Sequence, residues 1–381
     1  MVRVELRRVR WALLGAALLA SGSGSAATYV VTAATLANAF KTAAAGDTLK
    51  LVGTFGLVRL PSRSFAKVVT LDASRAVFTD TLDLLRDDNV RVVGGHWDIT
   101  RGSTYGRAIV VYGGSGVSID RATVVGVAGQ QGVNFAGTAN AEVSGGSFAG
   151  LQVAIGLTGV TGGSATGNRV TRAVSDGIDI GDSHNVTASG NSCSGGTPGA
   201  GVHPDCIQLW STEGHPVESD ITVTHNSATG MTQGFTSFAA GGGARRVDIS
   251  YNTVTTSMPQ GIACYDCFDS IISYNTLSTL PGASHLTNLN IVGGGNNNIV
   301  GNVINPASFL RRNGVGSVNA TPFTDLLVYA GDVQPAPLGS APPVSTAGPA
   351  VVPEPASWAM LLAGFAAVGA AARRRVRRVC A

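Results

Sequence analysis

Tyr251-Asn252-Thr253-Val254 returns 23 residues later as Tyr274-Asn275-Thr276-Leu277. Outward from this pair the same punctuation recurs as Gly167-Asn168, Gly190-Asn191, His225-Asn226 and Gly301-Asn302. The intervals are 23, 35, 26, 23 and 27 residues. A period in the low twenties between short alternating segments is that of a solenoid, each turn one rung stacked on the next. Two residues past each asparagine stands an apolar or small side chain: Val170, Cys193, Ala228, Val254, Leu277 and Ile304. A second segment of each rung supplies inward pairs: Val133/Phe135, Val153/Ile155, Ile178/Ile180, Ile207/Leu209 and Leu289/Ile291. Asn134, Ala154, Asp179, Gln208 and Asn290 lie between them and face outward. About nine rungs fit between residues 89 and 305, spaced about 4.8 Å apart. The asparagines have a structural use, because Asn tolerates left-handed turns and can hydrogen-bond along the stack.

Composition agrees with a coil of strands. The 381 residues include 51 Gly, and only 13% are Asp, Glu, Lys or Arg. Long helices are not expected. Leu36 to Ala44 reads as one short helix after Thr35, followed by Ala45-Gly46-Asp47 and the strand Thr48–Val52. A helix there would cap the first rung and protect its edge.

The two ends read as targeting segments. Residues 1–27 carry Arg3, Arg7, Arg8 and Arg10, then an apolar stretch Trp11–Ala20, then Ser25-Ala26-Ala27. That order is a secretory signal, to be removed by signal peptidase. Residues 335–352, rich in Pro, Ala, Ser and Gly, form a flexible tether. Pro353-Glu354-Pro355 then precedes an apolar run from Ala356 to Ala372 and Arg373, Arg374, Arg375, Arg377 and Arg378. The run is at the lower limit for a membrane-spanning helix, with the arginines on the cytoplasmic side. The whole chain is +3, and its ends carry +3 and +4, so the body is about −4. The basic balance therefore belongs to targeting, and no nucleic-acid partner is expected. Outside the tail the cysteines are Cys193, Cys206, Cys264 and Cys267, an even number suited to an oxidising compartment. Three pairings are open. Cys193–Cys206 is preferred, and Cys264–Cys267 would be tight.

The tripartite tail at residues 353–381 resembles the PEP-CTERM sorting signal of Gram-negative bacteria. The resemblance implies transient inner-membrane anchoring, cleavage near Pro-Glu-Pro by a dedicated processing peptidase, and release to the cell surface or matrix. It also implies the company of exported polysaccharide. Across residues 28–310 the rung pattern resembles the pectate-lyase-like superfamily. The fold class expected is thus all-β: a single-stranded right-handed parallel β-helix over residues 28–334 with a short N-terminal capping helix.

The rung between Asn191 and Asn226 is the outlier, enlarged by Gly195–Val202 and by Thr212–Ser219. Lengthened loops on a solenoid face are where binding surfaces are built. Asp176, Asp179, Asp182, His184, His203, Asp205, Gln208, Glu213 and His215 gather there. Asp176 and Asp205 each precede an inward isoleucine by two positions and should stack on adjacent rungs, as should Asp179 and Gln208. Stacked carboxylates can divide acid and base roles, or Asp176, Asp179 and Asp205 can hold Ca²⁺. No cofactor is otherwise required.

Ser175-Asp176-Gly177 and Asp205-Cys206-Ile207 resemble acidic motifs of polygalacturonases. Pro204 stands where that family pairs a second acid, and Gln233-Gly234-Phe235 lacks its histidine. Asp176, Asp179, His203 and Asp205 are the catalytic candidates. Gln208, Trp210, Glu213, His184 and Arg172 are the substrate-binding ones. The polar column Gln131, Asp176, Asp205, Gln233 and Gln260 has a competing use in satisfying turn amides. A lyase is disfavoured, because Lys41, Lys50 and Lys67 all precede the regular rungs. Two functions are therefore expected in competition: a hydrolase or epimerase acting on an extracellular polysaccharide, and a non-catalytic adhesive matrix protein.

Overall fold

A computed structural model of the chain describes residues 26–199, 202–238, 242–304 and 309–313. The described chain winds as a right-handed parallel β-helix, and every strand pairing is parallel. The rung around residue 180 shows the plan. Asp176–Gly181 forms the first face, His184–Ser189 the second and Ser192–Ser194 the third. First-face strands stack into an eleven-stranded sheet, and the other two faces merge into a 22-stranded sheet bent at the asparagine corner. Eight first-face strands, Arg107–Tyr112 through Asn288–Val292, fall between residues 89 and 305. Coiling also begins earlier than residue 89, since Thr48–Phe55 already pairs with Ser64–Phe78.

Inward columns build the core. Val133, Ile155, Ile178, Ile207, Phe235, Ile262 and Leu289 align in register, and all are buried. Burying one such side chain contributes roughly 1.5–3 kcal/mol. Register corrects one expectation. Asn134 pairs with Gly156 and Gly156 with Asp179, so the inward pair of that rung is Ile155/Leu157. Val153 instead shares a column with Gln131 and Asp176. The apolar run Val153-Ala154-Ile155 hides a two-residue slip, because every member can be buried.

The N-terminal end is closed by Thr28–Val31, which pairs with Thr48–Leu51, and by the helix Leu36–Thr42. That helix buries Leu36 and Phe40, and Phe40 meets Phe65 edge to face at 5.5 Å. Phe55, Phe78 and Trp97 stack through the next three rungs at 5.0 and 4.4 Å.

The asparagines form a buried spine. Asn168, Asn191, Asn226, Asn252, Asn275 and Asn302 are at most 4% exposed. From Asn191 on, each Oδ1 accepts the backbone N–H and the side-chain amide of the asparagine one rung earlier, as at Asn226→Asn252 (2.8 and 3.1 Å), while Asn168 Oδ1 accepts the Gly146 backbone N–H at 2.9 Å. Each side-chain amide also donates to a carbonyl on the second face, as Asn226 does to Ala188 at 2.9 Å. The left-handed residue is the one before the asparagine: Gly167, Gly190, His225, Tyr251, Tyr274 and Gly301 have φ between 53° and 66°. Glycine is free to adopt it. In His225, Tyr251 and Tyr274 it costs about 1–2 kcal/mol each. Their rings stack at 5.3 and 5.2 Å, which returns about 0.5–1.5 kcal/mol per pair. Stacking does not cover the backbone cost.

Candidate functional site

The enlarged rung is pinned at its root. Cys193 on the third face and Cys206 on the next first-face strand form a disulfide with Cα atoms 5.4 Å apart, closing the 195–204 insertion. Gly177 makes room for it, since a Cβ there would stand 2.8 Å from Cys193 Sγ and 2.6 Å from the Cys206 carbonyl. Cys264 and Cys267 form the second disulfide across the turn that follows Gln260–Tyr265.

The first-face strands Asp176–Gly181 and Asp205–Trp210 set the acids in register, Asp176 against Asp205 and Asp179 against Gln208. Asp176 is 5% exposed and Asp205 fully buried. The Asp205 backbone N–H donates to Asp176 Oδ1 at 3.1 Å, and the Ser175 hydroxyl donates to Oδ2 at 2.5 Å. His203 Nδ1 lies 3.2 Å from Asp205 Oδ2, with its side chain 30% exposed. Burial, and after it the charge of Asp205, pushes the Asp176 carboxyl up to about 7. The hydrogen bonds and His203 pull the other way without overcoming burial. The result is a chain Ser175–Asp176–Asp205–His203 in which one carboxyl holds its proton near neutrality.

Beside it runs a column of larger side chains. Trp210 packs so tightly over Gly181 that a Cβ there would collide with its ring. Phe238 meets His203 edge to face at 5.9 Å and stacks on Tyr265 at 5.1 Å. The Gln260 amide donates to the Tyr265 phenol at 3.2 Å, and Asn290 donates to Gln260 at 2.9 Å. Gln233, one rung beyond Asp205, keeps Oε1 buried without a hydrogen-bond partner among the described residues. The polar column continues as expected, with Gln233 after Asp205 and Gln260 opposite Asn288.

Other expected members lie apart from this chain. His184 Nδ1 is 3.1 Å from the Ser219 hydroxyl on the second face, and Ser219 bonds Asp220, whose carboxylate clamps Arg246. Asp182 accepts the Thr212 backbone N–H at 2.7 Å and its hydroxyl at 2.9 Å, and stands 2.9 Å from His215. These contacts tie down the second insertion. Glu213 is exposed in it. Arg172 sits in the left-handed turn (φ 54°) before Asp176. Asp179 pairs with Gln208 in a different column from Asp176 and Asp205. Among the described residues no group of three or more His, Cys, Asp or Glu is placed to hold a metal ion.

Sequence reading missed two members. Phe238 closes over His203 from the rung beyond, which only the register reveals. Glu218 is fully buried at the end of the second insertion, neither carboxylate oxygen is hydrogen-bonded among the described residues, and its backbone N–H donates to the Ser211 hydroxyl. Burial, and then the charge of Asp182, raises its carboxyl well above the ordinary value. Its column carries Val160, Ser183 and Ala244, so a glutamate there had no periodic signal.

Comparison with known families finds two matches. A model described as a right-handed beta helix region matches residues 98–206, and one described as the PEP-CTERM protein-sorting motif matches residues 351–375. The chain thus carries a sorting signal that indicates export and surface sorting. Among the described residues no helix is long and apolar enough to cross a membrane. The expected signal peptide (residues 1–27 save its last two), the tether and the apolar run 356–372 lie outside them. No curated protein matches the chain. Solved structures similar to it include the Dettilon tailspike protein, at 15% identity over 78% of this chain and TM-score 0.42. The chain spans 64% of the tailspike's length. The A-module of the Azotobacter vinelandii mannuronan C-5 epimerase AlgE6 is 13% identical over 73% of this chain and 93% of its own (TM-score 0.42). The polygalacturonase of Erwinia carotovora ssp. carotovora is 12% identical over 81% and 95% (TM-score 0.43).

Proposed function

We propose that the chain is an exported surface protein that processes an extracellular polysaccharide at the Asp176–Asp205–His203 chain, as a glycoside hydrolase or an epimerase. The observation carrying this reading is a buried carboxyl, Asp176, stacked on a second, Asp205, that a histidine engages. Chemistry at a glycosidic bond needs both states in one site, an acid to protonate the leaving oxygen and a base or nucleophile across the scissile bond. Asp176 is the acid and Asp205 the base or nucleophile, with His203 orienting it. In an epimerase His203 would take the ring proton and a protonated carboxyl would return one to the opposite face. Gln208, Trp210 and Asp179 line the adjacent columns and would hold sugar. The acids are buried, so side chains that cover them must shift before a sugar can reach them. We assign no step to calcium.

The burial of Asp205 also supports the competing reading, in which the acids only brace the enlarged rung and the protein is an adhesive matrix component. The test is turnover of acidic and neutral polysaccharides, followed by reducing ends, unsaturated-uronate absorbance and NMR of epimerised residues. Turnover lost about 100-fold or more in Asp205→Asn and in Asp176→Asn supports the enzyme. Absence of turnover across the panel, with polymer binding intact in both variants, supports the adhesive reading. The sorting signal is further proposed to anchor the chain transiently in the inner membrane until a processing peptidase cuts near Pro353. Mass spectrometry of the surface-exposed protein tests that, since a retained C-terminal arginine cluster would exclude cleavage.

A further inference from the structure

The asparagine corner carries a second feature, on rungs the acid chain does not use. Tyr251 and Tyr274 are 54% and 52% exposed, and with His225 they form a stacked ridge along the coil axis. Glycine occupies this place at 167, 190 and 301, so nothing in the turn requires an aromatic. Because the ring faces lie against each other, the ridge presents ring edges and two phenols that accept or donate no hydrogen bond among the described residues. Beside it Ser227, Thr253 and Thr276 align in register as a hydroxyl column, and each of these rungs repeats a hydroxyl two residues on. Charge is missing. Residues 221–232, 249–265 and 270–284 contain no Asp, Glu, Lys or Arg.

We propose that His225, Tyr251, Tyr274 and this hydroxyl column bind a neutral polysaccharide chain laid along the coil axis, at a site separate from the acid chain. The partner follows from the chemistry. Alternating apolar edges and hydroxyls repeating at each rung match a polymer whose every unit offers C–H faces and hydroxyls. A strip without Lys or Arg offers an anionic polymer little to hold, and a protein partner little apolar area. A polymer passing over three rungs gains the same contact three times, so modest single contacts add within one chain.

The test uses the full chain in affinity electrophoresis through gels containing dextran, hydroxyethyl cellulose or, as the acidic comparison, alginate. Retardation by a neutral polymer is expected. It should weaken about tenfold or more in the double variant Tyr251→Gly/Tyr274→Gly. Glycine is the residue the corner carries elsewhere, so the unfolding temperature of that variant should hold. Tyr251→Phe/Tyr274→Phe keeps the rings, loses the phenols and should weaken binding less; this pair carries the test if the glycine pair proves unstable. Neutral-polymer retardation lost in Asp205→Asn but kept in Tyr251→Gly/Tyr274→Gly would place the binding at the acid chain and overturn the proposal. Retardation by alginate alone, by no polymer, or equally in wild type and both tyrosine variants overturns the proposal.

Discussion

The backbone N–H of Asp205 points at Asp176 Oδ1, 3.1 Å away, so the strand that carries one acid holds the other in place. The contact joins adjacent rungs and fixes the two carboxyls in one column. It does not neutralise them. Burial, and after it the neighbouring charge of Asp205, raises the Asp176 carboxyl.

Removing the partner charge should lower the Asp176 pKa. In Asp205→Asn the repulsion is gone while burial remains, so the carboxyl should titrate below about 7 but above its ordinary 3.8. A carbon-detected NMR titration of labelled aspartate reads this directly. An unchanged midpoint would mean that burial alone sets the value.

Stability should fall as the solution becomes less acid. Asp176 and Asp87 are raised to about 7 from 3.8, and Glu218 is raised well above 4.5. The folded state then binds more protons than the unfolded one, so ΔG of unfolding decreases with pH from about 4 through 7. The exposed Asp220, lowered to about 2 by Arg246, contributes in the opposite sense only at the acid end. Urea unfolding should give a higher midpoint at pH 5 than at pH 8. Glu218→Gln should stabilise the protein at pH 8 by about 1 kcal/mol or more and change little at pH 5. A midpoint that rises with pH would contradict both.

The Cys193–Cys206 bond closes a loop of 13 residues, and opening it should cost about 2–4 kcal/mol. Cys193→Ser/Cys206→Ser should show that loss in urea, together with faster proteolysis between residues 195 and 204. Cleavage at an unchanged rate would show that the insertion is held by other contacts.

Asn226→Ala should destabilise the coil by about 1–3 kcal/mol, because it leaves the Ala188 carbonyl and the Asn191 N–H buried without their partner. Asn302→Ala, nearer the end of the spine, should cost less. Comparable losses at both would argue that each rung stands alone.

The coil was legible because its signal is periodic. The asparagine spacing and the apolar columns each repeat, and one strong rung supports a weaker one. The slip at Val153-Ala154-Ile155 occurred where no polar residue marked the outward side. The stacking of Asp176 on Asp205 and of Asp179 on Gln208 could be read by counting from the inward isoleucines. What counting could not supply was depth. Polar outward residues suggest an open face, yet Asp179 and Gln208 are buried. Nor could it show that the left-handed residue precedes the asparagine, since Gly-Asn and Tyr-Asn hide which partner turns. Phe238 and Glu218 belong to rungs and corners whose pattern predicts other things.

The spine also explains how one turn could grow without harm. Thirty-five residues separate Asn191 from Asn226 and 23 separate Asn252 from Asn275, yet the same hydrogen bonds span both intervals. The asparagines act as a ruler that counts rungs and ignores the length of chain spent between marks. Sequence in residues 198–202 and 213–217 can therefore be lengthened, shortened or exchanged as a cassette while the rungs on either side keep their pitch.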